Sequence, residues 1–219
     1  NRSNGVSNPH AHLRSPVTVQ EVLGSGFVSY PLKALDCPPE SVGGVALILA
    51  GEEVVKRITD KPVWIRGIGW AIESYELGAK DLAHIPSLAA AAQRAYRMAG
   101  IGRPLEELDL AELHEATSFH ELMDYEALGF AAAGEGAKMI EEGLTQIAGK
   151  LPVNPSGGAL STNLHGASGL VRAAEAALQL RGEAEGRQVA AAQLALAHGL
   201  SGPSGAAAPT NCVLILERG

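Results

Sequence analysis

A layered α/β fold is predicted by three features of this sequence. Strand-like and helix-like segments alternate from Val63 onward, one short run (45–50) is apolar at every position, and residues 167–180 carry an apolar stripe at helical spacing. Alternating strands and helices build a sheet covered by helices. A run apolar on both faces suits a strand buried between helical layers.

In chain order, residues 1–16 read as a polar loop, and 17–23 as a short helix that Gly24 stops. The run 45–50 reads as a strand whose sheet partners lie outside this sequence, and a helix is expected over 52–58. Residues 63–72 have a β pattern that places Trp64 and Trp70, six apart, on one strand face. An Ala-rich helix is expected over 87–99, ended by Gly100, and a short strand over 108–113. Ser118-Phe119-His120-Glu121 fits a capping box opening a helix that runs to Gly129. Another short helix spans 138–142. The helix over 167–180 puts Leu170, Val171, Ala174, Ala177 and Leu178 on one side. Residues 188–197 and 211–217 close the chain as two strands, and the Gly/Pro loop 199–209 permits them an antiparallel pairing.

Composition narrows the function classes. The 219 residues are 46% hydrophobic and 19% charged, ordinary values for a globular protein. No apolar run approaches the roughly 20 residues of a membrane helix, so no membrane partner is expected. A net charge of −7 with scattered Lys and Arg speaks against nucleic acid. The two cysteines, Cys37 and Cys212, are too few and too far apart for a disulfide framework or a zinc site. No metal is therefore expected, and a reducing, cytoplasmic location is. The opening Asn1-Arg2-Ser3-Asn4-Gly5 lacks a Met and a signal-peptide pattern. It reads as a loop entered mid-chain, as in a fragment or one half of a split protein.

Three loops carry residues suited to chemistry. The first runs from Asn154 to Gly169, with Asn154, Ser156, Gly157, Gly158, Gly166 and Ser168 as candidate ligand-binding residues. Its glycines let a ligand approach the backbone closely, and it leads into a helix N-terminus that favours negative charge. His165 at that junction can orient a nucleophile or donate to an oxyanion. The alternative is a flexible loop with a surface histidine. In the second loop His114 sits where a strand hands over to a helix, an edge where α/β sheets bind ligands, and a locally bonded structural histidine is the alternative. Its neighbour Glu115 either pairs with it or is a solvated first-turn carboxylate. The third loop holds His198 before a Gly-rich turn, again catalytic or structural. Three such loops converging on one cleft suit acyl transfer. Glu106, Glu107, Asp109 and Glu112 read as a solvated acidic patch. Cys37 lies in a Pro-rich turn with no base nearby in sequence, and Cys212 reads as an inert strand residue.

These stretches in this order resemble the C-terminal part of thiolases, above all the sterol-carrier-type and thiolase-like lipid-transfer branch. The similarity runs through Ser7-Asn8-Pro9-His10-Ala11-His12-Leu13-Arg14, Leu35-Asp36-Cys37-Pro38 to Gly44, Glu112-Leu113-His114-Glu115-Ala116, Gly134-Glu135-Gly136, Pro152 to Gly158 and Gln179-Leu180-Arg181-Gly182. The resemblance implies two α/β halves with a coenzyme A cleft between them, usually in a dimer. It assigns residues 1–58 to the end of the loop region and the last strand and helix of the N-terminal domain. Residues 59–219 become the C-terminal domain, a mixed five-stranded sheet covered by helices. The nucleophilic cysteine belongs to the other half, a separate or cleaved chain, and neither Cys37 nor Cys212 matches it.

The resemblance also implies roles. His114 falls where the family polarises a thioester carbonyl through a bound water. His165 falls near the Gly-His-Pro histidine that activates the nucleophile, although Asn163-Leu164-His165-Gly166 replaces Gly-His-Pro-x-Gly. His198 falls near the last motif, where many thiolases have a second, acid/base cysteine. That cysteine is absent, and in the branch that carries it beside the His114 motif the position is Ala116. Ser41 falls in the segment that contacts the pantetheine arm, followed by Val42 where an Asp is frequent. The implied activity is an acyl-CoA C-acyltransferase cutting or joining a 3-oxoacyl-CoA, with coenzyme A as substrate and no permanently bound cofactor. The alternatives are a retro-aldol lyase on a CoA-thioester side chain beside a small OB-fold subunit, and a non-catalytic CoA-binding or scaffolding subunit. A homo- or hetero-oligomer is expected.

Overall fold

A computed structural model of the chain describes residues 1–219 apart from 75, 77, 79 and 202–209. Its elements run α1 (Arg2–Gly5), α2 (Val19–Gly24), β1 (Phe27–Ser29), β2 (Leu32–Lys33), α3 (Glu52–Ile58), β3 (Val63–Ile72), α4 (Pro86–Ala99), α5 (Pro104–Glu107), β4 (Leu110–Glu112), α6 (Ser118–Ala127), α7 (Gly136–Glu141), α8 (Gly158–Ser161), α9 (Ser168–Arg181), β5 (Leu194–Ser201) and β6 (Thr210–Arg218). β1 and β2 form a small antiparallel pair, and the main sheet has the order β3-β6-β5-β4. β6 is antiparallel to both neighbours, while β4 lies parallel to β5. The sheet is therefore mixed, as expected, but four strands wide. The fifth position is held by one parallel bridge between Ala111 and Val153, because the chain turns immediately afterwards at Asn154, where φ is +49°.

Strand alternation supplies two helical layers. On one face Leu196, Val213 and Ile215 share a core with Leu88, Ala91, Ala92, Ala95 and Ala99 of α4. On the other, Ala195, Ala197 and Leu216 pack with Ala173, Ala176 and Leu180 of α9. Small residues set both distances. A Cβ on Gly67 or Gly69 would collide with backbone oxygens of Ala95 and Ala91, so β3 accepts α4 only as glycine. On the opposite face Gly169 of α9 meets Gly199 of β5 backbone to backbone, which seats the start of α9 beside His198.

Several expectations change. Residues 41–51 form no strand, and Ile48 and Leu49 are exposed, because no strand among the described residues lies beside the run to complete its hydrogen bonds. The loop 1–16 is docked rather than free, with α1 in it and Gly5, Asn8 and Ala11 buried. The N-cap of α6 is Thr117, whose side chain accepts from the amide of His120, so the capping box at Ser118 does not form. β5 starts at Leu194 rather than 188, after two positive-φ turn residues, Glu185 and Ala191. A register shift between Ile65 and Gly67 pairs Trp64 with Glu217 but Trp70 with Cys212. The two tryptophans thus face opposite sides of the sheet. Of the predicted Gly/Pro loop, 202–209 lies outside the described residues, while the strands on either side pair antiparallel.

Candidate active site

His114 lies two residues past the end of β4, at the C-terminal edge shared by β4 and the parallel β5. Its position is set by Leu113, whose amide donates to Asn154 Oδ1 at 2.6 Å. The imidazole is buried, and its Nδ1 accepts the amide hydrogen of Leu200 at 3.2 Å. An acceptor at Nδ1 leaves the proton on Nε2. Burial, then the neighbouring His198 and Arg172, hold its pKa down at about 3. His114 is therefore a neutral N–H donor with one defined tautomer.

His198, in β5, is fully buried. Its Nε2 lies 2.8 Å from Asn211 Oδ1, and its Nδ1 finds no hydrogen-bond partner among the described residues. Burial also lowers its pKa. On α6, His120 Nδ1 lies 3.3 Å from Asp124 Oδ2, one helical turn away. Burial opposes a charge on His120, but Asp124, with Glu115 and Glu73 behind it, outweighs burial and the net shift is upward. Sequence reasoning missed this pair, although His and Asp four apart on a helix face each other. The cluster thus combines two histidines held neutral with one biased toward its charged form. Among the described residues, no group of three or more His, Cys, Asp or Glu side chains is arranged to hold a metal ion.

Near the histidines lies a buried polar layer built on two carboxylates, Glu112 and Glu115. Glu112 is not part of a surface patch. It is fully buried, accepts the Ser156 amide at 2.9 Å and hydroxyl at 2.6 Å, and pairs with Arg172 of α9 at 3.1 Å. Burial pushes its carboxyl up, and Arg172 opposes the shift. Glu115 likewise neither pairs with His114 nor meets solvent. It accepts from Leu160 N at 2.9 Å, Asn154 Nδ2 at 3.1 Å and Asn1 Nδ2 at 2.9 Å. Burial and the nearby Glu121 raise its pKa to about 8. Gly157 and Gly158 have φ of +99° and +64°, and a Cβ on Gly158 would strike the Glu115 carboxylate.

The N-terminal segment straps this layer down through asparagines. Asn1 bridges Glu115 and Glu121, Asn4 donates to Asn154 O at 3.0 Å, and Asn8 donates to Ser156 O at 2.9 Å. Asn154, Ser156, Gly157 and Gly158 are consequently buried and engaged within the protein. Ser168 is buried as well, donating to Asn163 Oδ1 at 2.7 Å and accepting from Leu164 N at 2.8 Å. Of the residues read as ligand-binding, Gly166 is exposed and Ser41 half-buried. Ser41 lies against the same loop, its amide donating to Asn163 O at 3.0 Å and its hydroxyl lying 2.9 Å from His12 Nδ1.

The structure thus brings His114 and His198 together. His165 stands apart on the loop, exposed, with φ of +49°, and its side chain joins none of the hydrogen bonds of the cluster. Neither cysteine is activated. Burial and Asp36 push the Cys37 thiol up, and burial does the same to Cys212.

A family model described as thiolase C-terminal domain-like matches residues 70–218. An acetyl-CoA acetyltransferase of Methanothermobacter thermautotrophicus is 39% identical over 211 residues, covering 95% of this chain and 54% of that protein. Sterol carrier protein 2 of Oryctolagus cuniculus is 37% identical over 217 residues, covering 96% of this chain and 39% of its own length. Among solved structures, the Ltp2-ChsH2(DUF35) aldolase superposes with a TM-score of 0.86 at 27% identity, covering 99% of this chain and 55% of that one. The chain spans about half the length, or less, of the relatives it matches.

Proposed function

Since the chain belongs to the thiolase superfamily, through its C-terminal-domain family, we propose that it supplies the C-terminal half of an acyl-CoA C-acyltransferase site that cuts or joins a 3-oxoacyl-CoA. Residues 59–219 would be the C-terminal domain, and residues 1–58 the tail of the preceding one. The observation that carries this reading is the pairing of a hydrogen-bond donor with an acceptor at one sheet edge. His114 offers Nε2–H, and His198 offers a bare Nδ1.

Cleavage of a 3-oxoacyl-CoA begins when a thiolate adds to the 3-oxo carbon. The C2–C3 bond then breaks, and its electron pair passes to C2 as an enolate of the departing thioester. A neutral N–H aimed at the thioester oxygen stabilises that enolate without surrendering its proton, and such preorganised donors account for roughly 10²–10³ in rate. A histidine with pKa about 3 fits this role and not that of a general acid. In the joining direction the bare Nδ1 of His198 would take the C2 proton as the enolate forms. In cleavage the ring would first take up the proton released by the thiol and return it from Nδ1 to C2, the part that a second cysteine plays in the resembled family. His165 would approach the nucleophile from its exposed loop. The raised thiols of Cys37 and Cys212 support a nucleophile contributed by the other half, with coenzyme A as co-substrate.

A second reading, a retro-aldol lyase acting with a small partner subunit, is favoured by the likeness to the Ltp2-ChsH2(DUF35) aldolase and by Ala116 in place of a second cysteine. Free coenzyme A separates the two. In the whole protein, cleavage of acetoacetyl-CoA that requires added coenzyme A supports the acyltransferase. Turnover of a 3-hydroxyacyl-CoA without it supports the lyase and removes the first reading.

A further inference from the structure

We infer that Glu73, Ser87 and Asn211 act as a directional hydrogen-bond relay that fixes the tautomer of His198, holding the proton on Nε2 and leaving Nδ1 as a bare acceptor facing the His114 cluster. The inference rests on the proposed role of His198 for its catalytic meaning, but not for its geometry.

Four elements contribute. Glu73 follows the end of β3, Ser87 lies in the first turn of α4, Asn211 is the second residue of β6, and His198 lies in β5. Glu73 Oε1 accepts both the Ser87 amide at 3.1 Å and the Ser87 hydroxyl at 2.5 Å. Its other oxygen lies 3.4 Å from Lys80 Nζ. The amide contact satisfies one of the free N–H groups at the start of α4, which has no side-chain cap of its own. The hydroxyl contact does more. A serine hydroxyl has one hydrogen, and once that hydrogen points at a carboxylate the oxygen can only accept toward its other neighbour.

That neighbour is Asn211, whose Nδ2 lies 2.7 Å from Ser87 Oγ. The amide must therefore present its NH₂ to Ser87, which turns Oδ1 toward His198 at 2.8 Å. A carbonyl oxygen cannot donate, so His198 Nε2 must carry the proton. The second ring nitrogen is then bare, and Nδ1 is the buried atom without a partner. The chain of constraint starts at an ion pair with Lys80 and ends at a lone pair beside the titratable groups that face it, His114, His120 and Asp124. Each step follows from donor and acceptor counts. His198 and Asn211 are diagonal neighbours on one face of the sheet, because His198 pairs directly with Val213, so the contact is built into the strand register. Glu73, Ser87 and Asn211 are positioning residues. They touch no substrate.

The test is the nitrogen chemical shift of the His198 ring in the whole protein, labelled with 15N-histidine and read at pH 8. Unmodified protein should show Nε2 in the N–H range and Nδ1 in the unprotonated range. Ser87→Ala frees the Asn211 amide to turn over, and a substantial Nδ1–H population should appear. Asn211→Asp, added to Ser87→Ala, offers His198 only acceptors and should restore Nε2–H. Turnover is measured alongside. If the two tautomers become equally populated and only one is competent, kcat falls about twofold. A wild-type ring protonated at Nδ1, or a Ser87→Ala variant with an unchanged tautomer, overturns the relay whatever the turnover. A tautomer that shifts with no change in turnover upholds the relay and instead removes His198 from the reaction.

Discussion

The amide of Leu200 donates to His114 Nδ1 across 3.2 Å, and this contact determines what the histidine can do. It ties His114, two residues past β4, to the strand beside it and leaves Nε2–H as the ring's donor. With its pKa lowered from 6.5 to about 3, the ring is neutral from pH 5 to 8. The pH profile of kcat should therefore show no limb from His114 near 6.5. The check is to compare wild type with His114→Asn, which keeps an N–H donor but cannot titrate. The variant should lower the rate without changing the shape of the profile between pH 5 and 8.

Arg172 and Glu112 meet with both side chains withdrawn from water. Replacing Arg172 by Met leaves a buried carboxylate without its counter-charge and should cost about 3–5 kcal/mol in chemical denaturation. Adding Glu112→Gln should recover much of that loss, because the penalty belongs to the unpaired charge and not to either residue alone.

Glycines 158 and 166 make opposite predictions from one loop. Gly158 has φ of +64°, and a Cβ there strikes Glu115 and Asn154, whereas Gly166 has nothing within 4 Å. Gly158→Ala should destabilise by at least about 2 kcal/mol through strain and overpacking. Gly166→Ala should stay within about 0.5 kcal/mol. Thermal or denaturant midpoints of the two variants check this directly.

The Glu115–Glu121 pair predicts a fold that weakens on the alkaline side. Glu115 has its pKa raised from 4.5 to about 8, through burial first and Glu121 second. A carboxyl raised in the fold contributes stability that is full below 4.5 and is lost as pH climbs toward about 8. The loss is about 1.4 kcal/mol for each unit of difference. Glu121→Gln removes the neighbouring charge while its side-chain carbonyl can still accept from the Tyr125 hydroxyl, which donates to Glu121 at 2.7 Å. Stability measured from pH 5 to 8.5 should then fall less steeply in the variant than in wild type.

Much of the fold was legible in local pattern. The strand over 63–72 and the helices of α3, α4 and α9 emerged near their observed bounds, because period and punctuation by glycine are properties of the segment itself. The failures were non-local. A run such as 45–50 is a strand only if another strand lies beside it, and the faces of Trp64 and Trp70 were inverted by one extra residue in the pairing of β3 with β6. Within the site, His114 and His198 stood out as histidines at strand ends. Glu112 looked like one more surface carboxylate because its partner Arg172 is 60 residues away. The asparagines at 1, 4 and 8 repeat at helical spacing along the strap, a signal that was present and passed over.

The central claim is that His114 and His198 form the reacting edge of an acyl-CoA site, and steady-state kinetics of the whole protein test it most directly. Acetoacetyl-CoA cleavage should be followed in wild type, His114→Ala and His198→Ala, with folding of each variant confirmed by its denaturation midpoint. The kcat should fall roughly 10²–10³-fold for His114→Ala and by at least about 10²-fold for His198→Ala. KM should change no more than a few-fold. Folded variants that retain wild-type kcat would contradict it.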